Sequence, residues 1–164
     1  MAPSLPAVVF FDLDDTLIDS AASEASTSDA WQLYADVLPC LDTLANLGVR
    51  LGIISNGKDR YQRAKLNSSG LASHFTSITV SESVGHTKPD IEIFLWACRH
   101  QHVEPVQAVH VGDRLGPDAR GAMAAGLHGI WLNRHEADLA DELPTITSLS
   151  ELVPLLHDGG LPDY

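Results

Sequence analysis

The chain has 164 residues, 45% of them apolar, and a formal net charge of −12 with His neutral. A chain of this length buries roughly 70% of the surface that its unfolded form exposes, so we expect one domain whose core needs neither disulfides nor a structural metal. The strong negative charge repels nucleic acid and anionic membranes at long range, which disfavours both as partners.

Apolar runs rich in β-forming residues predict five strands, at residues 7–11, 49–54, 77–80, 108–111 and 129–132. Helical patterns lie between and after these runs, at about residues 39–47, 58–67, 89–100, 117–125 and 148–156. Alternation of strands and helices is typical of βαβ units. We therefore predict the α/β class: a doubly wound, Rossmann-like parallel sheet of about five strands with helices on both faces.

No apolar run approaches the ~18 residues of a membrane-spanning helix. The first residues lack the basic stretch and cleavage site of a signal peptide. Cys40 and Cys98 have no metal-ligand spacing, and we expect both to be reduced, buried thiols. These features predict a cytoplasmic location.

Polar segments follow four of the five predicted strands, at the edge where α/β sheets bind their ligands. They are Asp12-Leu13-Asp14-Asp15-Thr16, Ser55-Asn56-Gly57, His86-Thr87-Lys88-Pro89-Asp90 and Gly112-Asp113-Arg114-Leu115-Gly116-Pro117-Asp118. Because the carboxyl ends of parallel strands share one edge, we expect these segments to build a single site.

The carboxylates of this edge are suited to metal-assisted phosphoryl transfer. Asp12 and Asp113 offer the hard oxygen ligands that Mg²⁺ prefers. A carboxylate can attack phosphorus when Mg²⁺ and a Lys neutralise the charge between the two anions. Asp14, two residues further on, is placed to act as general acid and then as general base.

The other polar groups are hydrogen-bond donors suited to phosphate oxygens. They are the Ser55 hydroxyl, the backbone amides of Asn56 and Gly57, and the Lys88 ammonium, and Gly57 allows close approach of the ligand. These residues predict a phosphate-binding site facing the carboxylates.

Four segments, FFDLDDTL, IISNG, HTKPD and VGDRLGPD, resemble in this order the four motifs of the haloacid dehalogenase superfamily. The resemblance runs from about residue 7 to residue 132. It implies that Asp12 is the nucleophile that forms an aspartyl-phosphate. It also implies that Asp14 is the acid/base and lends its backbone carbonyl to Mg²⁺.

The resemblance also implies roles for the later motifs. Ser55 and Lys88 would hold phosphate, Asp113 would ligate the metal, and Asp118 would be a supporting carboxylate. Haloalkanoate-cleaving members lack the second Asp of the first motif, so Asp14 favours phosphatase chemistry over dehalogenation. Pro117 departs from the usual pattern and removes a side-chain amide that could have steadied Asp118.

The segment between the first two motifs is short. Members with this style of motif usually insert a helical cap there, whereas residues 17–38 number only 22, fewer than the ~50 of an independent domain. Residues 20–29, SAASEASTSD, are Ser/Ala-rich without an apolar period and predict a flexible surface loop. We therefore expect residues 1–164 to form one catalytic core, with residues 17–38 as a short flap in place of a cap.

A site without a cap is open. Three alternatives follow: a bulky phosphorylated substrate, a lid borrowed from a second subunit of a homo-oligomer, or a poorly discriminating phosphatase of small phosphoesters. Natural loss and deletion of a cap from a longer relative both fit the sequence.

Several charged residues near the motifs favour structural roles. Asp15 is interpreted as an exposed or helix-capping acid, and His110, inside an apolar strand, as a core histidine. The basic cluster is interpreted as a solvated helix face rather than a docking patch; it comprises Lys58, Arg60, Arg63 and Lys65.

The resulting functional prediction is a Mg²⁺-dependent phosphomonoesterase that works through an aspartyl-phosphate. The alternatives are a phospho-acceptor signalling domain similar to receiver domains and a binding protein without catalysis. The order of the motifs disfavours the receiver, because receivers place the Lys-Pro pair after their last strand, whereas Lys88-Pro89 precedes Asp113.

Overall fold

The computed structural model describes residues 4–26, 30–137 and 143–162. One sheet contains β1 (Val8–Phe11), β2 (Arg50–Ser55), β3 (Ser77–Val80), β4 (Ala108–Gly112), β5 (His128–Leu132) and β6 (Thr145–Ile146). All neighbouring strands are parallel, in the order β3-β2-β1-β4-β5-β6. The five predicted strands are confirmed, and the two-residue β6 is an addition, too short to produce a periodic sequence signal.

Within the described residues, seven α-helices accompany the sheet: α1 (Ser20–Ala25), α2 (Val37–Asn46), α3 (Asp59–Ser68), α4 (Ser81–Val84), α5 (Ile91–His100), α6 (Gly121–Ala124) and α7 (Leu152–His157). A π-helical turn, Leu115–Arg120, precedes α6, so the predicted helix at residues 117–125 is only partly α-helical. Short 3₁₀ turns occur at Ala72–His74, Pro105–Gln107 and Leu149–Glu151.

The helices cover both faces of the sheet, as expected of a doubly wound fold. In β1, Val9 and Phe11 pack with α2 and α7 in one buried cluster. Val8 and Phe10 alternate to the opposite face and pack with α5 and α6. Burying each such side chain contributes about 1.5–3 kcal/mol. The central strand is therefore buried on both faces, which makes its carboxyl end a rigid support.

The flap segment at residues 17–38 differs from the predicted flexible loop. Residues 20–25 form α1, because Asp19 caps the helix: its Oδ1 accepts from the Ala22 N–H at 3.0 Å. None of the residues of α1 is buried, so no apolar period marked this helix in the sequence. Residues 27–29 of the predicted loop lie outside the described residues. After α1, an antiparallel bridge pairs Leu33 with Ile18 and returns the chain to the end of β1.

Cys40 and Cys98 are buried free thiols, as expected. Burial raises the pKa of each thiol to about 12. Among the residues that the structure describes, no helix has both the length and the hydrophobicity that crossing a bilayer requires.

Candidate active site

The carboxyl edge of the sheet carries a cleft of about 250 Å³. Asp12 follows β1, Ser55 ends β2, Asp113 follows β4, and Lys88 lies just before α5. Five carboxylates, two cations and two other residues line this cleft: Asp12, Asp14, Asp15, Asp113, Asp118, Lys88, Arg114, Asn56 and Pro117. The structure thus brings residues of all four motifs to one place.

Lys88 lies at the centre of this arrangement. Its Nζ donates to Asp12 Oδ1 at 3.0 Å, to Asp118 Oδ1 at 2.7 Å and to the Ile54 carbonyl at 2.8 Å. The side chain is only 2% exposed. Burial opposes the charged ammonium, but Asp12 and Asp118 outweigh it and raise the pKa of Lys88. The three acceptors use all three ammonium N–H groups, so Lys88 is a fixed charge beside Asp12.

Asn56 holds the backbone that carries Lys88. Its side-chain amide donates to the Lys88 carbonyl at 3.1 Å, and its Oδ1 accepts from the Lys88 N–H at 2.9 Å. These two bonds couple the loop after β2 to the loop before α5, so the third motif is positioned by the second.

Three carboxylates form a group with metal-ligand spacing. One oxygen each from Asp12, Asp113 and Asp118 lies within 4.8 Å of the other two. Burial, followed by the neighbouring Asp12, raises the pKa of Asp113 to about 8. Three carboxylates beside one ammonium leave an excess of negative charge, which a divalent cation with oxygen ligands would neutralise. The donor set therefore fits Mg²⁺.

Thr16 connects two of these carboxylates, a role that sequence reasoning missed. Its hydroxyl lies 3.2 Å from Asp12 Oδ2 and 3.4 Å from Asp113 Oδ1, and it accepts from the Asp113 N–H at 3.1 Å. The only sequence signal is its position four residues after Asp12, at the end of the first motif.

Asp118 has a denser set of partners than the sequence suggested. Besides Lys88, His110 Nε2 lies 3.2 Å from its Oδ1, and the Arg114 N–H donates to its Oδ2 at 3.0 Å. Burial opposes ionisation, but Lys88 and His110 outweigh it and hold the pKa of Asp118 well below its usual range. Pro117 therefore leaves Asp118 firmly held, because these groups replace the missing side-chain amide.

His110 is fully buried, as expected of a core histidine. Its contact with Asp118 was not expected, and it places this side chain directly behind the site. Burial is the main cause that lowers the pKa of His110. The sequence signal was a polar residue in an otherwise apolar strand, two positions before Gly112.

Asp14 points toward α3 and is not part of the three-carboxylate group. Gln62 Nε2 donates to its Oδ2 at 3.0 Å, and Lys65 Nζ lies 2.9 Å from its Oδ1. The interpretation of Lys65 as solvated was wrong: its side chain is 18% exposed and lies under the Trp31 ring. Gln62 was missed, because an isolated Gln in a polar helix carries no signal.

Other members of the basic cluster do face solvent. Lys58 pairs with Glu82 at 3.5 Å and is 68% exposed at its side chain, and Arg63 pairs with Asp59 at 2.9 Å. Asp15 behaves as the expected capping acid: its Oδ1 accepts from the Ser20 N–H at 3.2 Å at the start of α1.

In the loop after β2, the Gly57 N–H is not free to bind phosphate as predicted. The Gly57 N–H, predicted to face phosphate, donates to Ser81 Oγ at 2.9 Å. Gly57 has φ +148°, a conformation that side chains rarely allow, so its contribution is the shape of the turn. Ser55 Oγ accepts from Gln62 Nε2 at 2.7 Å, and the nearest acceptor for its own proton is the Asn56 carbonyl at 3.5 Å. That weak contact leaves the Ser55 proton available to a ligand.

Known proteins share this sequence pattern and fold. A glyceraldehyde 3-phosphate phosphatase of Methanopyrus kandleri is 40% identical over 101 residues, which cover 62% of this chain and 43% of that protein. The chain spans about half the length of the curated relatives that it matches.

Solved structures cover nearly the whole chain. A HAD phosphatase from Thermococcus onnurineus is 26% identical with a TM-score of 0.81, covering 91% of this chain and 97% of its own. A 2-haloacid dehalogenase from Pseudomonas syringae pv. Tomato DC3000 is 27% identical with the same TM-score, covering 94% and 100%.

The family model described as haloacid dehalogenase-like hydrolase matches residues 21–132. The match begins after Asp12 and Asp14, so it does not bear on the roles expected of these two residues. It nevertheless covers about two thirds of the sequence, and it includes Ser55, Lys88 and Asp113. This chain therefore belongs to the haloacid dehalogenase-like hydrolase family.

Proposed function

We propose that this chain is a Mg²⁺-dependent phosphomonoesterase in which Asp12 is the nucleophile. The observation that carries the proposal is the position of the Asp12 carboxylate. It lies in the cleft, 3.0 Å from Lys88 Nζ, in one group with Asp113, and with Asp14 on the wall of the same cleft.

The chain's own groups account for each bond change. Asp12 attacks phosphorus, the bond to the leaving oxygen breaks, and Asp14 gives that oxygen a proton. Asp14 then takes a proton from the water that attacks the aspartyl-phosphate, which releases phosphate and restores Asp12. Asp12, Asp113 and the backbone carbonyl of Asp14, the further ligand that family resemblance implies, would hold Mg²⁺, whose charge would offset that of the phosphoryl oxygens.

Phosphate binding is proposed for the second and third motifs. The Ser55 hydroxyl and the Asn56 backbone amide would donate to phosphate oxygens, and the Gly57 turn would allow their approach. Lys88 would act through its charge and by orienting Asp12, because its N–H groups already have acceptors.

Two observations favour this chemistry over its alternatives. Asp14 supplies the acid/base that phosphoester cleavage needs and that haloacid cleavage does not use. The strand order β3-β2-β1-β4-β5 differs from the 2-1-3-4-5 order of receiver-type domains. The relatives named as phosphatases point in the same direction.

The short segment at residues 17–38 supports an open site in a single core domain. We propose that this segment stands in place of a cap, and that the substrate is a phosphorylated small molecule or a bulkier phosphoester. Alternatively, a second copy of the chain in a homo-oligomer would cover the open site as a lid.

The test measures release of inorganic phosphate from an aryl phosphate, with Mg²⁺ and with a chelator. We expect Mg²⁺-dependent turnover that Asp12→Asn abolishes while circular dichroism and the melting temperature stay those of a folded protein. Full turnover by Asp12→Asn, or halide release from a 2-haloacid in place of phosphate release, would overturn the proposal. A phosphorylated protein that persists for hours would favour the signalling alternative.

A further inference from the structure

Helix α3 binds both oxygens of the Asp14 carboxylate. Gln62 donates to Oδ2 at 3.0 Å and Lys65 to Oδ1 at 2.9 Å. Gln62 and Lys65 are three residues apart, so they lie on the same face of α3. The orientation of Asp14 is therefore set by a helix that follows the second motif, not by its own loop.

Gln62 also reaches a second site residue. Its Nε2 donates to Ser55 Oγ at 2.7 Å, and its side chain is buried. The two N–H groups of one amide thus connect the loop after β1 with the end of β2. Loss of either acceptor would leave a buried donor unsatisfied, which favours the arrangement in which both bonds form.

Lys65 connects Asp14 to the flap. Its Nζ lies 4.9 Å from the centroid of the Trp31 ring, and Trp31 packs against the main core cluster. The ammonium lies against the face of the aromatic ring, and the Lys65 side chain is only 18% exposed. This contact restricts water at the ion pair and limits the motion of the Lys65 side chain. Residue 31 belongs to the segment that replaces a cap.

We propose that Gln62 and Lys65 are positioning residues that hold Asp14 ready for proton transfer, with Trp31 as the cover of Lys65. Gln62 fixes the distance between Asp14 and the phosphate donor Ser55, and Lys65 fixes the rotation of the Asp14 carboxylate. The catalytic core thereby performs for itself a part of the ordering that a cap domain would provide. The inference rests on the proposed phosphatase mechanism, in which Asp14 protonates the leaving oxygen.

This role predicts a dependence on the leaving group. An alkyl phosphate needs a proton on its leaving oxygen, whereas 2,4-dinitrophenyl phosphate departs without one. A misplaced general acid should therefore slow only the first substrate. The ratio kcat/KM reports the steps up to formation of the aspartyl-phosphate, where Asp14 acts as an acid, and it excludes the later hydrolysis.

The experiment compares Gln62→Leu and Lys65→Met with the unchanged chain on both substrates. For the alkyl phosphate we expect kcat/KM to fall about 10²-fold, the loss typical of a catalytic group displaced by about 1 Å. For 2,4-dinitrophenyl phosphate we expect Lys65→Met to change kcat/KM by less than about threefold. Gln62→Leu also releases Ser55, so it should lower kcat/KM for this substrate as well, but by a smaller factor than for the alkyl phosphate. Lys65→Arg should recover most of the loss, because it keeps a cation under Trp31, and Trp31→Phe should be milder than Trp31→Ala.

Inhibition by inorganic phosphate separates the two residues. Gln62→Leu should weaken it, because Ser55 loses the bond that orients its hydroxyl, whereas Lys65→Met should leave it unchanged. Lys58→Met is the matched control: this lysine precedes the same helix, is 68% exposed at its side chain and pairs with the exposed Glu82, away from Asp14. Both rates should be unchanged in that variant.

The outcomes distinguish this inference from the proposed function. Activity that survives Asp12→Asn rejects the phosphatase mechanism itself. If Asp12→Asn is inactive but Gln62→Leu and Lys65→Met lose activity equally on both substrates, or lose none, the positioning role is wrong and the mechanism stands. Should Gln62→Leu fail to fold, Lys65→Met and its rescue by Lys65→Arg decide the question.

Discussion

Lys88 Nζ lies 2.7 Å from Asp118 Oδ1, and both side chains are almost completely buried. The same ammonium is 3.0 Å from Asp12 Oδ1, so one cation holds both the proposed nucleophile and its supporting carboxylate. Buried ions are stable only when they are paired and hydrogen-bonded. The ion pair that orients the site is therefore also a structural element of the sheet edge.

Lys88→Met should lower the free energy of unfolding by about 3–5 kcal/mol in metal-free protein, because it leaves Asp12 and Asp118 buried without their cation. The measurement is urea unfolding in the presence of a chelator. The double variant Lys88→Met/Asp118→Leu should lose less than the sum of its single changes, since it also removes one of the unpaired carboxylates. Additive losses would show that Lys88 and Asp118 do not interact energetically.

Mg²⁺ should stabilise the folded chain through Asp12 and Asp113. A ligand that binds only the folded state stabilises it by about 2.7 kcal/mol when its free concentration is about 100 times its dissociation constant. Thermal unfolding should therefore shift upward with MgCl₂ but not with NaCl of equal ionic strength. Asp113→Asn should abolish the shift, and an equal shift in that variant would place the ion elsewhere.

The position of the site was predictable from the sequence, because strand ends follow from hydrophobic pattern and parallel strands share one edge. Asp12 and Asp113 are the first charged residues after their strands, and Lys88 is the first cationic Lys or Arg after β3. The structure brings the three within hydrogen-bond distance or ligand spacing. The strand order adds what the pattern could not: β1 lies between β2 and β4, which puts Asp12 in the middle.

The supporting contacts were not predictable, because they depend on how helices rotate when they pack. A lysine in a polar helix such as α3 looks solvated, and only the packed structure shows that Lys65 turns toward Asp14. His110 could be recognised as buried but not as a partner of Asp118, since the π-helical turn that carries Asp118 leaves no signal in the sequence. Helix α1 depends on one cap, Asp19, rather than on an apolar stripe.

Gly112→Ala should disrupt the site by displacing the Asp118 side chain. A Cβ at Gly112 would overlap the Asp118 carboxyl group, so Asp118 would have to move away from Lys88. Overpacking of this kind lowers stability by about 1–3 kcal/mol, and we expect phosphatase activity to fall with it. The matched control is Gly116→Ala, where an added Cβ meets no non-neighbouring atom of the described residues within 4 Å. Equal behaviour of the two variants would contradict the packing explanation.

Asp36 is expected to make the fold sensitive to acid. Its carboxylate accepts hydrogen bonds from both terminal nitrogens of Arg134, at 2.8 and 2.9 Å. It also accepts from the Ser148 hydroxyl and the Leu149 N–H. Burial opposes ionisation, but these donors, Arg134 first, outweigh it and lower the pKa of Asp36. The stabilisation is therefore complete above the unfolded-state pKa of about 4 and is lost as the pH falls through the lower folded-state value.

Asp36→Asn should accordingly reduce the free energy of unfolding by about 1.5–3 kcal/mol at neutral pH, the range for hydrogen bonds to a charged group. The difference in free energy of unfolding between the variant and the unchanged chain should become smaller below about pH 4, because protonation of Asp36 then removes the charge that the variant also lacks. Urea unfolding across this pH range measures both effects. Asp42→Asn is the control on α2, the helix that begins directly after Asp36. The Asp42 side chain is 66% exposed, and its replacement should change the free energy of unfolding by less than about 0.5 kcal/mol. A difference in free energy of unfolding that stays constant with pH would mean that the charge of Asp36 does not contribute to stability. A difference that becomes smaller instead identifies the Asp36–Arg134 pair as the acid-labile connection between α2 and the loop after β5.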